Sequence, residues 1–255
     1  MTGTRAKLVQ SLRCVHSRLL RRIGWLREEW EDALPEELQF WEKALTDPDR
    51  HWLRFEYDER MNPALEFQDR FRRLINAPPG AIIRVLDVGA GPLTRLGKIW
   101  PDRVLQLFPV DPLAEEYKKL LQHLRLCPPV WTGIGAGEQL LEHFSENFFD
   151  LAYASNSLDH SRDPLLVIRQ MFSVVKPNCS VYLWHFANGG VSERYSGLHQ
   201  WDFDLKHGDM ILSDGCGTRH ELSKVFYGIG ELTCEFEEFS GSKVVVGKLK
   251  KLISD

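Results

Sequence analysis

The sequence contains no uninterrupted apolar stretch close to the ~20 residues that a bilayer-spanning helix needs, and its amino terminus lacks the apolar core of a secretory signal. A cytoplasmic location is the expectation. Nor is there an excess of positive charge: 32 Lys and Arg stand against 36 Asp and Glu, a formal net charge of −4, which gives no overall field for drawing in nucleic acid. The five cysteines, Cys14, Cys127, Cys179, Cys216 and Cys234, are odd in number, far apart and without a C-x-x-C pair. That removes the usual zinc-site and redox-couple readings and leaves scattered thiols in a reducing compartment. No internal repeat or low-complexity tract is present.

What is present is enough for one substantial core: 255 residues at 43% hydrophobic content leave room for only a small second domain. Over residues 1–27 the only formal charges are basic, on Arg5, Lys7, Arg13, Arg18, Arg21, Arg22 and Arg27, while Leu8, Leu12, Val15, Leu19, Ile23 and Leu26 recur at helical spacing. A basic amphipathic helix of this kind suits docking on the body of the protein, on a second copy in a dimer, or peripherally on an anionic membrane surface. Residues 28–78 are charged and rich in Trp and Phe, with helix starts expected at Pro35-Glu36-Glu37 and Asp47-Pro48-Asp49. Ala77-Pro78-Pro79-Gly80 interrupts that pattern. The expected division is a helical extension and cap over 1–78 and an α/β domain over 79–255, with an insertion around 187–231.

Within the second part, apolar strands are expected at 82–86, 104–110, 130–132, 149–154 and 180–186, alternating with helices at 113–124, 138–144 and 164–175. This alternation is the pattern of a parallel sheet covered on both faces, and the segments 232–239 and 243–249 read as an antiparallel hairpin closing it.

The segment Val85-Leu86-Asp87-Val88-Gly89-Ala90-Gly91-Pro92 places a carboxylate at a strand end and two glycines in the following turn, where an open α/β sheet binds its ligand. A dinucleotide fingerprint needs a third glycine where Thr94 stands. The second strand ends Pro109-Val110-Asp111-Pro112, and Asp111 can accept hydrogen bonds from both hydroxyls of a ribose, whether of NAD or of S-adenosylmethionine.

Taken together, these residues resemble the class I, Rossmann-like S-adenosylmethionine-dependent methyltransferases. The resemblance runs on through Gly135-Ala136-Gly137-Glu138-Gln139-Leu140, similar to the stretch that frames adenine, although Ala136 stands where the family usually has an acid. It continues through the stretch from Asn147 to His160, similar to the fourth strand and the loop beneath the methionine end of the cofactor, and through Asp163-Pro164 and the stretch from Met171 to Asn178. It covers roughly residues 82–186. It implies S-adenosyl-L-methionine as cofactor, S-adenosyl-L-homocysteine as product, and Asp87, Gly89, Ala90, Gly91, Asp111, Pro112, Gly137, Glu138, Ser155 and Asn156 as the cofactor-binding residues.

Methyl transfer from a sulfonium is an in-line displacement with an activated donor, so a base is needed only where the acceptor, such as an alcohol, must lose a proton. His160, with Asp159 beside it, and His185 lie at the ends of the fourth and fifth strands and are the candidate bases. Tyr195, His199, Gln200 and Trp201 belong to a stretch mixing aromatics with hydrogen-bonding groups, which suits a polar, ring-shaped acceptor such as a sugar or glycosylated metabolite. Asp159, His160, His185, His199, Asp202 and Asp204 carry donor atoms for a divalent metal, yet their spacing forms no metal motif and none is expected. The leading expectation is O-methylation of a small polar or saccharide acceptor. The alternatives are methylation of a protein, peptide or RNA, with the basic helix as a docking arm, and a non-catalytic scaffold subunit that keeps its cofactor site.

Overall fold

A computed structural model describes residues 26–47 and 56–253. A seven-stranded sheet forms its centre: β1 (Ile82–Val88), β2 (Val104–Asp111), β3 (Gly133–Ile134), β4 (Phe149–Ser155), β5 (Val175–Phe186), β9 (Gly230–Phe239) and β10 (Ser242–Lys251). Their order is β3-β2-β1-β4-β5-β10-β9, with β1 to β5 parallel and β10 antiparallel to both of its neighbours. Strand order reverses between β1 and β4, and at such a switch point the loops diverge and leave a crevice at the carboxyl ends of the strands.

The alternation of side chains along each strand explains why the central strands are apolar throughout. Leu86 and Val88 of β1, Ala152 and Ala154 of β4 and Val181 and Leu183 of β5 face one way, against Val167, Ile168 and Met171 of the helix Pro164–Val174. Ile83, Val85, Leu151, Tyr153, Tyr182 and Trp184 face the other way, against Phe67, Phe71 and Ile75. Both faces are covered, so neither has a polar register.

Among the described residues the α-helices are, in chain order, α1 (Leu26–Thr46), α2 (Tyr57–Met61), α3 (Asp69–Arg72), α4 (Ala114–His123), α5 (Leu140–His143), α6 (Pro164–Val174), α7 (Gly189–Ser192) and α8 (Leu222–Val225). Pro35 does not start a helix but lies inside α1. Its missing N–H removes one helical bond, yet Leu34, Leu38, Trp41, Ala44 and Leu45 lie on both sides of the break in one cluster with Tyr117, Leu120 and Leu121, and this packing keeps the helix continuous. The basic stretch of 1–27 falls outside the described residues up to position 25, and Asp47-Pro48-Asp49 lies outside them after Asp47.

The third strand is displaced to Gly133–Ile134, and a 3-10 turn (Gly137–Gln139) plus the single turn α5 stand where one helix over 138–144 is expected. The largest difference concerns 187–231. It contains a separate antiparallel sheet of β6 (Trp201–Lys206), β7 (Asp209–Asp214) and β8 (Arg219–Glu221), followed by α8. The β6–β7 connection is the two-residue turn His207-Gly208, both at positive φ, which matches the twist of a tight hairpin. Trp201, Phe203, Met210 and Leu212 join the core on the α6 face, and an isolated bridge between Ala187 and Phe203 ties β6 to the end of β5.

Candidate active site at the strand ends

The turn after β1 holds Gly89 and Gly91 at φ of 67° and 63°, a conformation that disfavours any Cβ. The N–H groups of Gly89 and Ala90 donate to the Val110 carbonyl at 2.9 and 3.2 Å, and that of Gly91 donates to Asp111 Oδ2 at 3.0 Å. Leu113 N, just beyond Pro112, donates to Asp111 Oδ1 at 2.9 Å. The Asp111 carboxylate therefore shapes both loops it touches, and each oxygen retains a second lone pair for a ligand. Burial pushes Asp111 up to about 7, against the pull of those two amides, and the charges of Glu37 and Asp87 push the same way. Burial likewise lifts Asp87 to about 6, opposed by the hydroxyl of Thr94, which donates to its Oδ2 at 2.6 Å. Two buried acids at adjacent strand ends, each held reluctant to ionise, form a site suited to a ligand that brings positive charge and hydroxyl groups.

Other residues implied in cofactor binding are tied into the framework. A Cβ at Gly137 would meet Val167 at 2.7 Å and Val88 at 3.1 Å, so the bare glycine lets α6 approach the sheet. Glu138 Oε1 accepts from the N–H groups of Arg162 and Asp163 at 3.0 and 3.3 Å, fixing the entry to α6. Ser155 Oγ is 3.0 Å from Arg95 Nη1, and Arg95 also pairs with Glu56 at 2.6 Å. Asn156, at φ 47°, donates its backbone N–H to Trp184 O at 2.8 Å and joins the ends of β4 and β5.

On the other side of the crevice, side chains from three segments converge. His199 Nδ1 lies 2.9 Å from Asp159 Oδ2 and 3.0 Å from His160 Nε2, and the latter is 3.5 Å from the same Asp159 oxygen. His160 Nδ1 faces Glu37 Oε2 of α1 at 3.5 Å, while its carbonyl accepts from Trp30 Nε1 at 2.6 Å. Burial acts to raise the Asp159 carboxyl, but the charge of His160, the hydrogen bond from His199 and the nearby His185 together hold it at about 2. Asp159 in turn raises His199 through their hydrogen bond. His185 is 0% exposed, stacked on Phe203 with ring centroids 4.0 Å apart, and has no hydrogen-bond partner on either nitrogen. Burial pushes it down to about 4, against the pull of Asp159, and a neutral, enclosed imidazole is poorly placed to exchange protons with an acceptor.

Of the residues nominated for the acceptor, His199 stands in this cluster and the others are engaged within the insertion. Tyr195 donates its hydroxyl to Asp202 and fits a slot left by Gly190 and Gly215, at each of which a Cβ would come within 2.9 Å of its ring. Gln200 Nε2 bonds the carbonyls of Tyr195 and Gly197 at 3.0 and 2.8 Å. Trp201 is buried in the core, at the first inward position of β6. The sequence reading omitted Trp30, Glu37 and Trp41 of α1, whose link to the site exists only in the folded chain. It also omitted Ser157, whose hydroxyl donates to Val88 O at 3.0 Å and whose Cβ occupies the space a side chain at Gly89 would need. Its position two residues after Ser155, in the stretch already singled out, was an available signal.

A family model described as a methyltransferase domain matches residues 86–183. Among solved structures, a CurJ carbon methyltransferase is similar at 16% identity and a TM-score of 0.48, over 70% of this chain and 50% of that one. The phosphoethanolamine N-methyltransferase 2 of Haemonchus contortus, in complex with S-adenosyl-L-methionine, is similar at 12% identity and a TM-score of 0.48, over 83% and 60%. A SAM-dependent methyltransferase from Aquifex aeolicus is similar at 13% identity and a TM-score of 0.42, over 82% and 96%. The chain thus spans half to three fifths of the first two proteins. No curated protein matches the sequence. Residues 86–183 thus match a methyltransferase domain, and they lie within a parallel sheet closed by an antiparallel hairpin, with paired acids flanking a glycine turn at its strand ends.

Proposed function

We propose that the chain transfers a methyl group to a hydroxyl of a small, polar, saccharide-like acceptor in the cytoplasm, and that the acceptor's proton leaves at the cluster of Asp159, His160 and His199. The observation that supports this reading is the 2.9 Å contact between His199 Nδ1 and Asp159 Oδ2 beside the strand-end crevice. A hydroxyl needs such a group, whereas a thiolate or an unprotonated amine reacts without one. No described helix is long and apolar enough to cross a membrane.

S-adenosylmethionine supplies a methyl group already activated on a sulfonium, which leaves the chain to align the acceptor and exclude water. In this reading Asp111 holds the ribose hydroxyls and the Gly89-Ala90-Gly91 turn lies against the amino-acid end. Asp159 orients His199 through Nδ1, leaving Nε2 to accept the hydroxyl proton, and its negative charge stabilises the imidazolium that results. His160 is held between Glu37 and Asp159 and completes the wall. Transfer of labelled methyl to a panel of sugars and glycosides tests the reading. His199→Ala should lose ~10²-fold or more in turnover while its affinity for S-adenosylhomocysteine stays within a few-fold. Turnover that survives the substitution, or transfer confined to thiols and amines, overturns it.

A further inference from the structure

We infer that Asp159, His160 and His199 form a binding site for a divalent transition-metal cation. The inference rests on the reading that this cluster lines the acceptor side of the crevice. Three donor atoms, Asp159 Oδ2, His160 Nε2 and His199 Nδ1, stand at the corners of a triangle with edges of 2.9, 3.0 and 3.5 Å. At a metal–ligand distance of about 2.1 Å, neighbouring ligand atoms are about 3.0 Å apart in an octahedral shell and about 3.4 Å apart in a tetrahedral one. A cation seated about 1 Å above the triangle is within bonding distance of all three corners at once.

Hydrogen bonding alone accounts for these contacts less well. His199 Nδ1 carries at most one proton, yet it has two close neighbours, and a single N–H cannot point well at both. A shared cation accepts a lone pair from each atom. Two further observations concern the same group. Asp159 Oδ1 is buried and has no hydrogen-bond partner, so half of this carboxylate is unsatisfied although the residue is only 5% exposed. On the far side of His160, Glu37 Oε2 faces Nδ1 at 3.5 Å, the arrangement in which an outer carboxylate orients a metal-bound imidazole through its other nitrogen.

The donor set selects the cation. Two imidazole nitrogens and one carboxylate suit iron, zinc, cobalt or manganese, and they do not suit magnesium or calcium, which take shells of oxygen. Two histidines and a carboxylate on one face leave the remaining positions open. With the cation bound, His199 Nδ1 gives its lone pair to the metal and Nε2 keeps the proton, so an acceptor hydroxyl bound there would lose its proton more readily through the metal, and the imidazole base of the metal-free cluster would not be used.

Titration of the chelator-treated full chain with Co²⁺, followed by its visible ligand-field absorption, tests the inference. One saturable Co²⁺ per chain is expected. His160→Gln and His199→Gln, at side chains partly open to solvent, should each weaken it by at least the 10–100-fold that loss of even an outer-shell partner costs. Thermal melting and S-adenosylhomocysteine affinity, both measured without metal, should stay close to those of the parent and show that the variants fold. Absence of saturable binding, or binding that both variants retain, overturns the site. Because the metal readout involves no acceptor and no turnover, failure to bind Co²⁺ leaves the methyltransferase reading standing. Failure to bind S-adenosylhomocysteine removes that reading and leaves the metal result intact.

Discussion

Replacing Asp111 by Asn separates what this carboxylate does for the ligand from what its charge costs the empty protein. The unfolded chain releases the Asp111 proton near 3.8, whereas burial keeps it on the folded chain up to about 7. Between those values the native state binds more protons than the unfolded state, so the contribution of this group to stability falls as pH rises and levels off above about 7. The interval corresponds to roughly 4 kcal/mol, an order of magnitude that applies because the residue is only 7% exposed. Asn is near in shape to the protonated acid and does not titrate, but its Nδ2 cannot accept, so either the Gly91 or the Leu113 N–H loses its partner at a cost of about 1 to 3 kcal/mol at every pH. Urea unfolding without cofactor should therefore find the variant less stable by about that amount near pH 4, and the difference should move in the variant's favour by up to roughly 4 kcal/mol toward pH 8. Loss of Asp111 charge also eases ionisation of Asp87, which acts in the same direction. Calorimetry should meanwhile show the variant binding S-adenosylhomocysteine more weakly by about 2 to 4 kcal/mol, because two hydrogen bonds to an anionic acceptor are lost. A variant with unchanged cofactor affinity and a parent-like pH dependence of stability would refute both halves of the reasoning.

Gly91→Ala should destabilise the chain by ~2 to 5 kcal/mol in urea unfolding, combining the left-handed backbone with a clash, since a Cβ there would stand 2.7 Å from the Trp41 ring. In a Trp41→Ala background only the backbone part, ~1 to 2 kcal/mol, should remain, and strict additivity would show that α1 does not rest on the turn. The affinity for S-adenosylmethionine should rise as pH passes through the range of about 6 to 7, because ionised Asp87 and Asp111 favour a cationic ligand. The neutral thioether product should show a weaker rise, and equal pH dependence by calorimetry counts against that charge pairing. Deleting residues 1–25 should leave cofactor affinity within a few-fold, and a folded truncation that no longer binds S-adenosylhomocysteine would place that stretch in the site.

The glycine turn after β1 and the acid before it were legible because they are local. Asp87, Gly89 and Gly91 lie within five consecutive residues, and the strand before them is apolar on both faces. The cluster of Glu37, Asp159, His160 and His199 was not, because these residues meet only through the sheet and its insertion. The aromatics of 195–204 also misled. An alternation of Trp201, Phe203 and Leu205 with Asp202 and Asp204 is a strand pattern, and what looked like a binding loop is the edge of a small sheet whose inward residues are core. The turn His207-Gly208 was the local sign of that hairpin, whereas the comparable Ser240-Gly241 sits between two longer runs and was read correctly. Pro35 shows the converse case, a breaker overridden by the packing of the stripe around it.

The docking of α1 also bears on how the chain is made. Trp30 bonds the carbonyl of a residue 130 positions later, and Arg162 reaches back 131 positions to Glu31. A ribosome working at ~5–20 residues per second needs on the order of ten seconds to bridge that distance. The stripe of Leu34, Leu38, Trp41 and Leu45 finds Tyr117, Leu120 and Leu121 of α4 earlier in that interval, whereas the polar ties of Trp30 and Glu31 wait for its end. Until α4 has been made, α1 exposes an apolar face of the kind that chaperones bind.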